Sequence, residues 1–324
     1  MKRPKVAVID DYQSIALTAA DWSPVASRAD IAVFTDAWRD EDEVAVKLAP
    51  FDVIVLMRER TAFPARLIER LPNLAMIVMT GNRTSTLDVA ACAARGIVVT
   101  NTESNPPIAT AELAFALILA CARSLPHGHA NTVAGRWQQD LPIGTTLYGK
   151  RLGIVGLGRL GSTVARFGKA FNMDLVAWST NLTEEKAAKQ GVTRVDKRTL
   201  FETADVVSVH LWLSDRTRGI VGAPELQAMK QGAIFVNTSR AAIVDQAALL
   251  AVLRSGRIVA GLDVFDVEPL PGGHPLTMLR NVVLTPHLGF VVADSMRNFY
   301  TQSVENIVAY LDGEPMRVLL RLDA

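Results

Sequence analysis

The chain has 324 residues, of which 49% are hydrophobic and 21% are charged, and its formal net charge is +1. This length favours two domains, because a single hydrophobic core rarely grows so large. The balanced charge provides no global field for nucleic acid or an anionic membrane, and we expect neither as a partner. The most apolar run, residues 113–122, is about half of the roughly 20 residues of a membrane span, so it is predicted to be a buried helix.

The amino-terminal residues and the cysteines indicate a soluble, cytoplasmic protein. Residues 1–5 run directly into an apolar strand, without the longer apolar stretch and small-residue cleavage site of a secretory signal. Cys92 and Cys121 both lie in alanine-rich, helix-like segments. Buried thiols in a reducing compartment are expected there, rather than a disulfide or a catalytic cysteine.

Short β-branched runs alternate with helix-like segments along most of the chain. The runs are nearly all apolar, which is typical of parallel strands covered by helices on both faces. The strands are predicted at residues 6–9, 31–35, 53–57, 75–80, 97–100, 151–155, 175–178, 206–210, 233–237, 258–262 and 282–284. This pattern predicts two doubly wound α/β units.

Residues 101–150 interrupt the alternation with a long apolar helix at 109–123, followed by a polar stretch up to Gly149. A last amphipathic helix is predicted at 291–311. It follows the final strand of the second unit, and packing against the first unit would make the first domain discontinuous.

In the second unit an apolar strand runs into the pattern Gly-x-Gly-x-x-Gly and then into a helix. Gly156 permits the tight turn, Gly158 lets a pyrophosphate approach the backbone, and Gly161 lets helix and strand pack closely. The pyrophosphate then meets free N–H groups at the helix N-terminus, where Arg159 and Leu160 lie. The alternative is a structural turn, but the flanking strand and helix favour a dinucleotide site.

The next strand lacks the terminal acid that usually bonds the adenosine ribose. Asp174 stands at the start of this strand, roughly 16 Å from its far end at about 3.3 Å per residue, and Ser179 occupies the far end instead. Without the acid a 2′-phosphate is not repelled, yet the nearest basic side chain downstream is Lys186. The hydroxyls of Ser179 and Thr180 can bond either ribose, so the expected cofactor is NAD or NADP, with both alternatives open.

Three later strands are each followed by a charged residue at the carboxyl edge, where open α/β sheets bind ligands. Oxidation of a secondary alcohol by hydride loss needs a base near pH 7, and His287 suits this role when Glu268 orients it. Arg240 offers a guanidinium fork for a substrate carboxylate and can polarise the carbonyl oxygen. Each has an ordinary alternative, as a loop hydrogen-bonder, a turn-ending acid or a helix cap. Their combination after a dinucleotide motif favours catalysis.

With these motifs the chain resembles the D-isomer-specific 2-hydroxyacid dehydrogenases over essentially its whole length. The segments that carry the resemblance are 156–161, 236–240, 244–245, 261–265, 268–269 and 285–287. The resemblance implies that Arg240, Glu268 and His287 are catalytic and that Asp263 contacts the nicotinamide carboxamide. Thr238, within the second segment, is a further candidate for cofactor binding.

The resemblance also implies the domain arrangement. A Rossmann-type doubly wound parallel-sheet cofactor domain at residues 101–289 is expected within a discontinuous, flavodoxin-like substrate domain at 1–100 and 290–324. Members of the family usually form homodimers through the helix-rich region after the first crossover, and we expect a homodimer here.

Two regions depart from the family pattern and bear on the substrate. Asn82 and Arg83 lie in the loop whose backbone amides hold the substrate carboxylate in the family, with Arg83 at the position of a glycine. Arg58 and Arg60 follow the third strand, where specificity tends to be set. If two of these arginines face the substrate, a phosphorylated or dicarboxylic substrate is favoured. The alternatives are an outward-pointing Arg83 and a solvated loop with an internal Arg–Glu pair.

Trp212 replaces a common proline and is expected near the cofactor, whereas Phe290 replaces a usual glycine and is expected to narrow the substrate pocket. The sequence predicts an oxidoreductase that transfers a hydride between NAD(P)(H) and a D-2-hydroxy acid/2-oxo acid pair, without a metal. The alternative is an NAD(H)-responsive binding or corepressor-like protein without turnover. No basic stripe or reader motif for nucleic acid is present in the sequence.

Overall fold

The computed structural model describes residues 3–81, 84–103 and 108–319. The chain divides into two compact units, of which the first comprises Met1–Pro106 with Val292–Ala324 and the second comprises Pro107–Val291. Each unit contains its own parallel sheet.

The strands of the first unit are β1 (Lys5–Val8), β2 (Asp30–Val33), β3 (Val53–Leu56), β4 (Met76–Met79) and β5 (Val98–Asn101). The helices between them are α1 (Ala16–Ala19), α2 (Ser23–Ala26), α3 (Glu41–Leu48), α4 (Ala65–Ile68) and α5 (Val89–Ala94). The sheet order is β2-β1-β3-β4-β5, which is the order of flavodoxin-like folds. Helix α3 begins where the Asp40 side chain accepts a hydrogen bond from the Glu43 N–H at 2.8 Å, a standard N-cap.

The helices of the second unit are α6 (Ile108–Arg123), α7 (Leu125–Val133), α8 (Arg159–Ala170), α9 (Glu184–Ala188), α10 (Lys197–Thr203), α11 (Ala223–Ala228) and α12 (Gln246–Arg254). Its strands are β6 (Arg151–Val155), β7 (Asp174–Trp178), β8 (Thr193–Arg194), β9 (Val206–Val209), β10 (Ile234–Asn237), β11 (Val259–Leu262) and β12 (Val282–Leu284). All strands of this sheet are parallel, in the order β12-β11-β10-β9-β6-β7-β8. From β6 the chain adds strands towards one edge as far as β8 and then towards the other edge from β9 onward, so the strand order reverses between β6 and β9. This is the switch point at which Rossmann folds bind dinucleotides.

Helix α13 (Ala293–Leu311) is the last helix of the first unit among the described residues and packs against α1 and α2. Its apolar face buries Phe299 and Tyr300. The Tyr300 hydroxyl donates to Asp11 Oδ1 at 3.3 Å, so the polar tip of a large buried side chain has a partner. The last predicted helix thus packs within the first unit.

The predicted fold class is confirmed, and each predicted strand occurs within two residues of its expected ends. Two elements of the second unit differ from the sequence prediction: α7 lies in the stretch that was expected to be polar, and β8 is a two-residue edge strand outside the predicted strands. Among the described residues, no single helix is long and apolar enough to span a membrane, and only the pair α6 and α7, bent by 62°, meets that length and composition together.

Candidate active site

Six strands of the second unit end at the same level of the sheet. The register aligns their last residues side by side: Trp178, Val155, Val209, Asn237, Leu262 and Leu284. The residues that follow them form a line along the carboxyl edge, here called the edge row: Ser179, Gly156, His210, Thr238, Asp263 and Thr285. Because open α/β sheets bind ligands at this edge, we expect a ligand bound by the second unit to contact the edge row.

The glycine motif has the backbone geometry that a dinucleotide requires. Gly156 has a φ of +100°, which L side chains rarely adopt. A Cβ on Gly161 would lie 2.1 Å from the carbonyl oxygen of Gly156, so helix α8 can approach β6 only with glycine at that position. A Cβ on Gly158 would meet no protein atom within 4 Å. Gly158 precedes Arg159 and Leu160, whose N–H groups belong to the unsatisfied first turn of α8.

Two buried polar atoms in the middle of the edge row have no hydrogen-bond partner among the described residues: His210 Nδ1 and Thr238 Oγ1. An unpaired buried polar atom costs about 1–3 kcal/mol, so a partner in the bound state is expected. Burial lowers the pKa of His210 to about 4, which keeps this side chain neutral. The glycine cradle and these unpaired atoms fit a dinucleotide at this edge. The sequence identified Thr238 but missed His210, since only the register places it there.

The far end of β7 has the hydroxyls that the sequence predicted, and an additional arginine. Ser179 is partly buried in the edge row and Thr180 is exposed, whereas Asp174 pairs with Arg151 at 2.6 Å at the other end of the strand. Lys186 is the nearest basic side chain downstream in sequence, but the fold brings Arg194 to this end of the strand. Arg194 in β8 donates from Nε to the carbonyl oxygen of Leu182 at 2.8 Å, in the turn that begins at Ser179. The sequence missed it because β8 was not predicted.

The fully buried carboxylate of Asp263 is bonded to the segment that carries His287. Its Oδ1 accepts from the Thr285 hydroxyl at 2.6 Å and from the Leu288 N–H at 2.7 Å, and its Oδ2 accepts from the Gly289 N–H at 3.0 Å. Burial raises the pKa of Asp263, although these hydrogen bonds and the nearby charge of His287 act in the opposite direction. The predicted nicotinamide contact of Asp263 stays a prediction.

Glu268 and His287 form a close pair, as the sequence predicted. Nδ1 of His287 lies 2.6 Å from Glu268 Oε2, and Glu268 Oε1 accepts from the Phe265 N–H at 2.9 Å. Partial burial raises the pKa of Glu268, but the hydrogen bond and charge of His287, the Phe265 N–H and the charge of Arg240 together lower it below its usual value. Glu268 is therefore ionised at neutral pH, and Nδ1 of His287 carries the proton that it donates to Glu268.

Arg240 follows β10 and belongs to the same site as this pair, since its charge acts on Glu268. Its Nη1 donates to the carbonyl oxygen of Ser239 at 2.8 Å, and Asn237 Nδ2 donates to the carbonyl oxygen of Arg240 at 3.0 Å. These bonds hold the Arg240 backbone and one end of its guanidinium. An arginine, a carboxylate and an imidazole thus meet at the edge that fits the dinucleotide.

Phe290 and Trp212, the two aromatic residues that depart from the family pattern, lie in different surroundings. The ring of Phe290 packs edge-to-face against the ring of His287, with centroids 5.8 Å apart and an interplanar angle of 77°. Trp212, two residues beyond His210, is 63% exposed. Among the described residues, no group of three or more His, Cys, Asp or Glu side chains could hold a metal ion.

In the first unit, Arg58 and Arg60 are both held by neighbouring groups. Arg60 Nη1 donates to the carbonyl oxygen of Asp10 at 2.6 Å, and its guanidinium lies 4.6 Å from the centroid of the Tyr12 ring. Arg58 has a φ of +54°, and its guanidinium lies 5.8 Å from the centroid of the Phe299 ring. The predicted roles of both in substrate binding stay predictions.

The remaining predicted substrate residues, Asn82 and Arg83, lie outside the described residues. Beside them, the hydroxyl of Ser85 donates to Glu59. Glu59 thus has a serine partner within this unit, and the internal Arg–Glu pair considered from the sequence stays a prediction.

Asp10 is a buried acid at the end of β1 that sequence reasoning did not single out. Its Oδ1 accepts from the Thr61 hydroxyl at 3.0 Å and from Trp38 Nε1 at 3.2 Å. Its Oδ2 is buried and has no partner among the described residues. Burial raises the pKa of Asp10 to about 6, although Thr61, Arg60 and Trp38 act to lower it.

Comparison with known proteins places this site in a family. A family model described as the NAD-binding domain of the D-isomer-specific 2-hydroxyacid dehydrogenases matches residues 115–289. The chain belongs to this family. The predicted resemblance is therefore confirmed, and the second unit contains the family's NAD-binding domain, for which NAD or NADP is the cofactor.

Relatives of this dehydrogenase family extend the match to most of the chain. A D-3-phosphoglycerate dehydrogenase of Archaeoglobus fulgidus is 36% identical over 281 residues, which are 86% of this chain but 53% of that protein, so the chain spans about half of its length. A glyoxylate reductase of Aeropyrum pernix is 39% identical over 76% of both chains. The crystal structure of a phosphoglycerate oxidoreductase from Vibrio cholerae is 39% identical, with a TM-score of 0.91 over 96% of this chain and 99% of that one.

Substitution of Gly158 tests the dinucleotide site. We expect Gly158→Ala to fold normally, because the added Cβ has no protein atom within 4 Å. It should weaken NADH and NADPH binding by about tenfold or more, because a pyrophosphate must approach the backbone there. Fluorescence titration measures both affinities. Gly128→Ala, in α7 and equally open, is the matched control, and unchanged affinity in Gly158→Ala would contradict the assignment.

The raised pKa of Asp10 predicts a pH-dependent stability. The folded state binds the Asp10 proton up to about pH 6, whereas the unfolded chain releases it near 3.8. The contribution of Asp10 to the free energy of unfolding therefore falls as the pH rises through this window. Relative to the parent protein, the free energy of unfolding of Asp10→Asn should rise by about 2 kcal/mol between about pH 4.5 and about pH 7.5.

Urea unfolding at the two pH values measures this difference. Asp36→Asn, at an exposed aspartate of the same unit, is the control. An Asp10→Asn effect that is equal at both pH values would show that the carboxyl does not titrate in this window.

Proposed function

We propose that the protein is an NAD(P)-dependent oxidoreductase that interconverts a D-2-hydroxy acid and its 2-oxo acid. The observation that carries this proposal is the pair of Glu268 and His287, 2.6 Å apart. An imidazole oriented by an ionised carboxylate is suited to exchange a proton with an alcohol near neutral pH. The pair lies in the unit that contains the family's NAD-binding domain.

The geometry assigns one nitrogen of His287 to the substrate. Because Nδ1 is bonded to Glu268, only Nε2 can take the hydroxyl proton in oxidation or return it in reduction. A dinucleotide held at the glycine motif would supply the complementary hydride chemistry at C2. When Nε2 takes the proton, the carboxylate of Glu268 stabilises the positive charge of the imidazolium that forms.

Arg240 has the role of carboxylate ligand and electrophile. A guanidinium forms paired hydrogen bonds with a carboxylate, and the same charge polarises the adjacent C2 carbonyl oxygen. The bonds that fix the Arg240 backbone and Nη1 reduce the conformational entropy that it loses on binding substrate. Substrate C2 would then lie between Arg240 and Nε2 of His287.

Cofactor choice depends on the end of β7. A hydroxyl at Ser179 in place of an acid tolerates a 2′-phosphate. Arg194, bonded to the turn that begins at Ser179, adds the positive charge that such a phosphate needs. We therefore propose NADPH as the preferred reductant, with NADH as the weaker one.

The substrate proposal is broader than one compound. Relatives are named for phosphoglycerate, glyoxylate and hydroxypyruvate, and all of these are short 2-hydroxy or 2-oxo acids or give rise to them. Arg58 and Arg60 are proposed to bind an additional anionic group, which would favour a phosphorylated or dicarboxylic acid. Phe290, edge-on to His287, favours a short substituent at C2.

We further propose that the protein acts as a cytoplasmic homodimer. Several large apolar side chains from the end of α7 to β6 are strongly exposed, among them Val133, Trp137, Ile143 and Tyr148, at 71–98% of their maximal areas. A second copy that covers this segment would remove these side chains from water, which is favourable by about 25 cal/mol per Å². Two buried cysteines without a disulfide support a reducing compartment.

An assay of turnover tests the enzymatic function. Purified protein is expected to oxidise NADPH, and NADH more slowly, with at least one of glyoxylate, hydroxypyruvate, pyruvate, branched 2-oxo acids and 3-phosphohydroxypyruvate. His287→Asn should lower kcat by about 100-fold or more, since it removes the acid/base, and asparagine tolerates the φ of +54° at this position. The dissociation constant of the dinucleotide should stay within about twofold of the parent value, a change no larger than the scatter of such titrations.

His129→Asn, at an exposed histidine of α7, is the control. Equal loss of turnover and dinucleotide affinity in His287→Asn would contradict the acid/base role. Tight dinucleotide binding without turnover of any of these acids would instead favour the sensor alternative.

Analytical ultracentrifugation tests the dimer. We expect the parent protein to sediment as a dimer and the double variant Trp137→Glu, Ile143→Glu to sediment as a monomer, because two charges would be buried without partners. Val46→Glu, at a 73% exposed position of α3, is the control and should stay dimeric. A monomeric parent protein would refute the proposal.

A further inference from the structure

The segment from Thr285 to Gly289, which carries His287, is bonded repeatedly to one buried carboxylate. Among the described residues, three groups of this segment donate to the Asp263 side chain: the Thr285 hydroxyl, the Leu288 N–H and the Gly289 N–H, at 2.6–3.0 Å. They flank His287 on both sides in sequence. The backbone on each side of the imidazole is thus tied to the same buried group.

This arrangement holds His287 in a backbone conformation that it would not adopt by itself. Its φ is +54°, in the left-handed region that costs a non-glycine residue about 1–2 kcal/mol. Its N–H donates to the carbonyl oxygen of Thr285 at 3.0 Å, which closes a tight turn. Such conformations persist only where surrounding contacts determine them, and they concentrate at functional sites.

A second contact holds the same segment from helix α6. The hydroxyl of Thr110 donates to the carbonyl oxygen of Gly289 at 2.8 Å. A Cβ on Gly289 would lie 3.1 Å from Thr110 Cγ2 and 3.3 Å from Asp263 Oδ2, so the segment fits closely between α6 and β11. Asp263 and Thr110 therefore restrain it from both sides.

We propose that Thr285, Asp263 and Thr110 are positioning residues that set the place and orientation of the His287 imidazole. This inference rests on the proposed acid/base role of His287. Asp263 lies in the edge row beside the unpaired Thr238, so the group that restrains the His287 segment also borders the predicted cofactor site.

Thr285 is the best residue for the test because its hydroxyl can be removed without a change in shape. We expect Thr285→Val to lower kcat by about tenfold or more, since small displacements of a catalytic group are costly. Thr285→Ser keeps the hydroxyl and should recover kcat to within about threefold of the parent, as expected if the hydrogen bond is what matters. The NADPH dissociation constant should change by less than about twofold in both variants.

Thr199→Val is a matched control, because the Thr199 hydroxyl also donates to a carboxylate, Asp196 Oδ2, at 2.6 Å, but in helix α10. It should keep the parent kcat. Thr110→Val is a second variant that loosens the segment from α6, and it should lower kcat with unchanged NADPH affinity even if Thr285→Val fails to fold.

NMR of ¹⁵N-histidine-labelled protein separates this inference from the proposed function, since it needs no turnover. The His287 imidazole signals, assigned by their loss in His287→Asn, should shift in Thr285→Val but not in Thr199→Val. The positioning role is overturned if the His287 signals do not move. It is also overturned if Thr285→Val keeps full kcat, if serine fails to restore kcat, or if NADPH affinity falls in parallel with kcat. Absence of turnover in the parent protein would refute the proposed function alone.

Discussion

The shared register of the parallel strands in the second unit is the constraint on which the site depends. Each strand pair is aligned so that six chains leave the sheet at one level. A slip of one residue in any pair would move its edge-row side chain to the other face of the sheet. The unpaired atoms of His210 and Thr238 and the carboxylate of Asp263 share a neighbourhood for this reason, although up to 53 residues separate them in sequence.

The surroundings of each ionisable side chain in this site determine whether it is charged. Glu268 is partly buried and stays ionised because an imidazole, a backbone N–H and a nearby guanidinium favour its charge. His210, only a few strands away, is kept neutral by burial, so it adds no positive charge beside the cofactor edge. Burial acts on the imidazole of His210, whereas an ionised carboxylate pairs with the imidazole of His287, so the two histidines differ through their surroundings.

Local signals in the sequence predicted most of the fold. Buried parallel strands are continuous apolar runs, and the strand, Gly156 to Gly161 and helix α8 form a contiguous motif that can be recognised without knowledge of the rest. The pairing of Glu268 with His287 could also be predicted, because both follow strands of the same sheet. Helix α7 could not, since its sequence, with a glycine, an asparagine and two histidines, has weak helix propensity.

The missed parts of the site depend on tertiary register. Arg194 lies near Ser179 only because a two-residue strand pairs with β7. The bonds of Asp263 to the His287 segment depend on β11 and β12 being neighbours, and no spacing in the sequence encodes them.

The burial of both cysteines has a practical consequence for labelling the protein. Burial raises the pKa of Cys92 to about 11 and that of Cys121 to about 12, so scarcely any thiolate is present at neutral pH. Because these are the chain's two cysteines, a cysteine introduced on the surface would react selectively with a maleimide dye, and distances within the protein could be followed spectroscopically without first replacing the native residues.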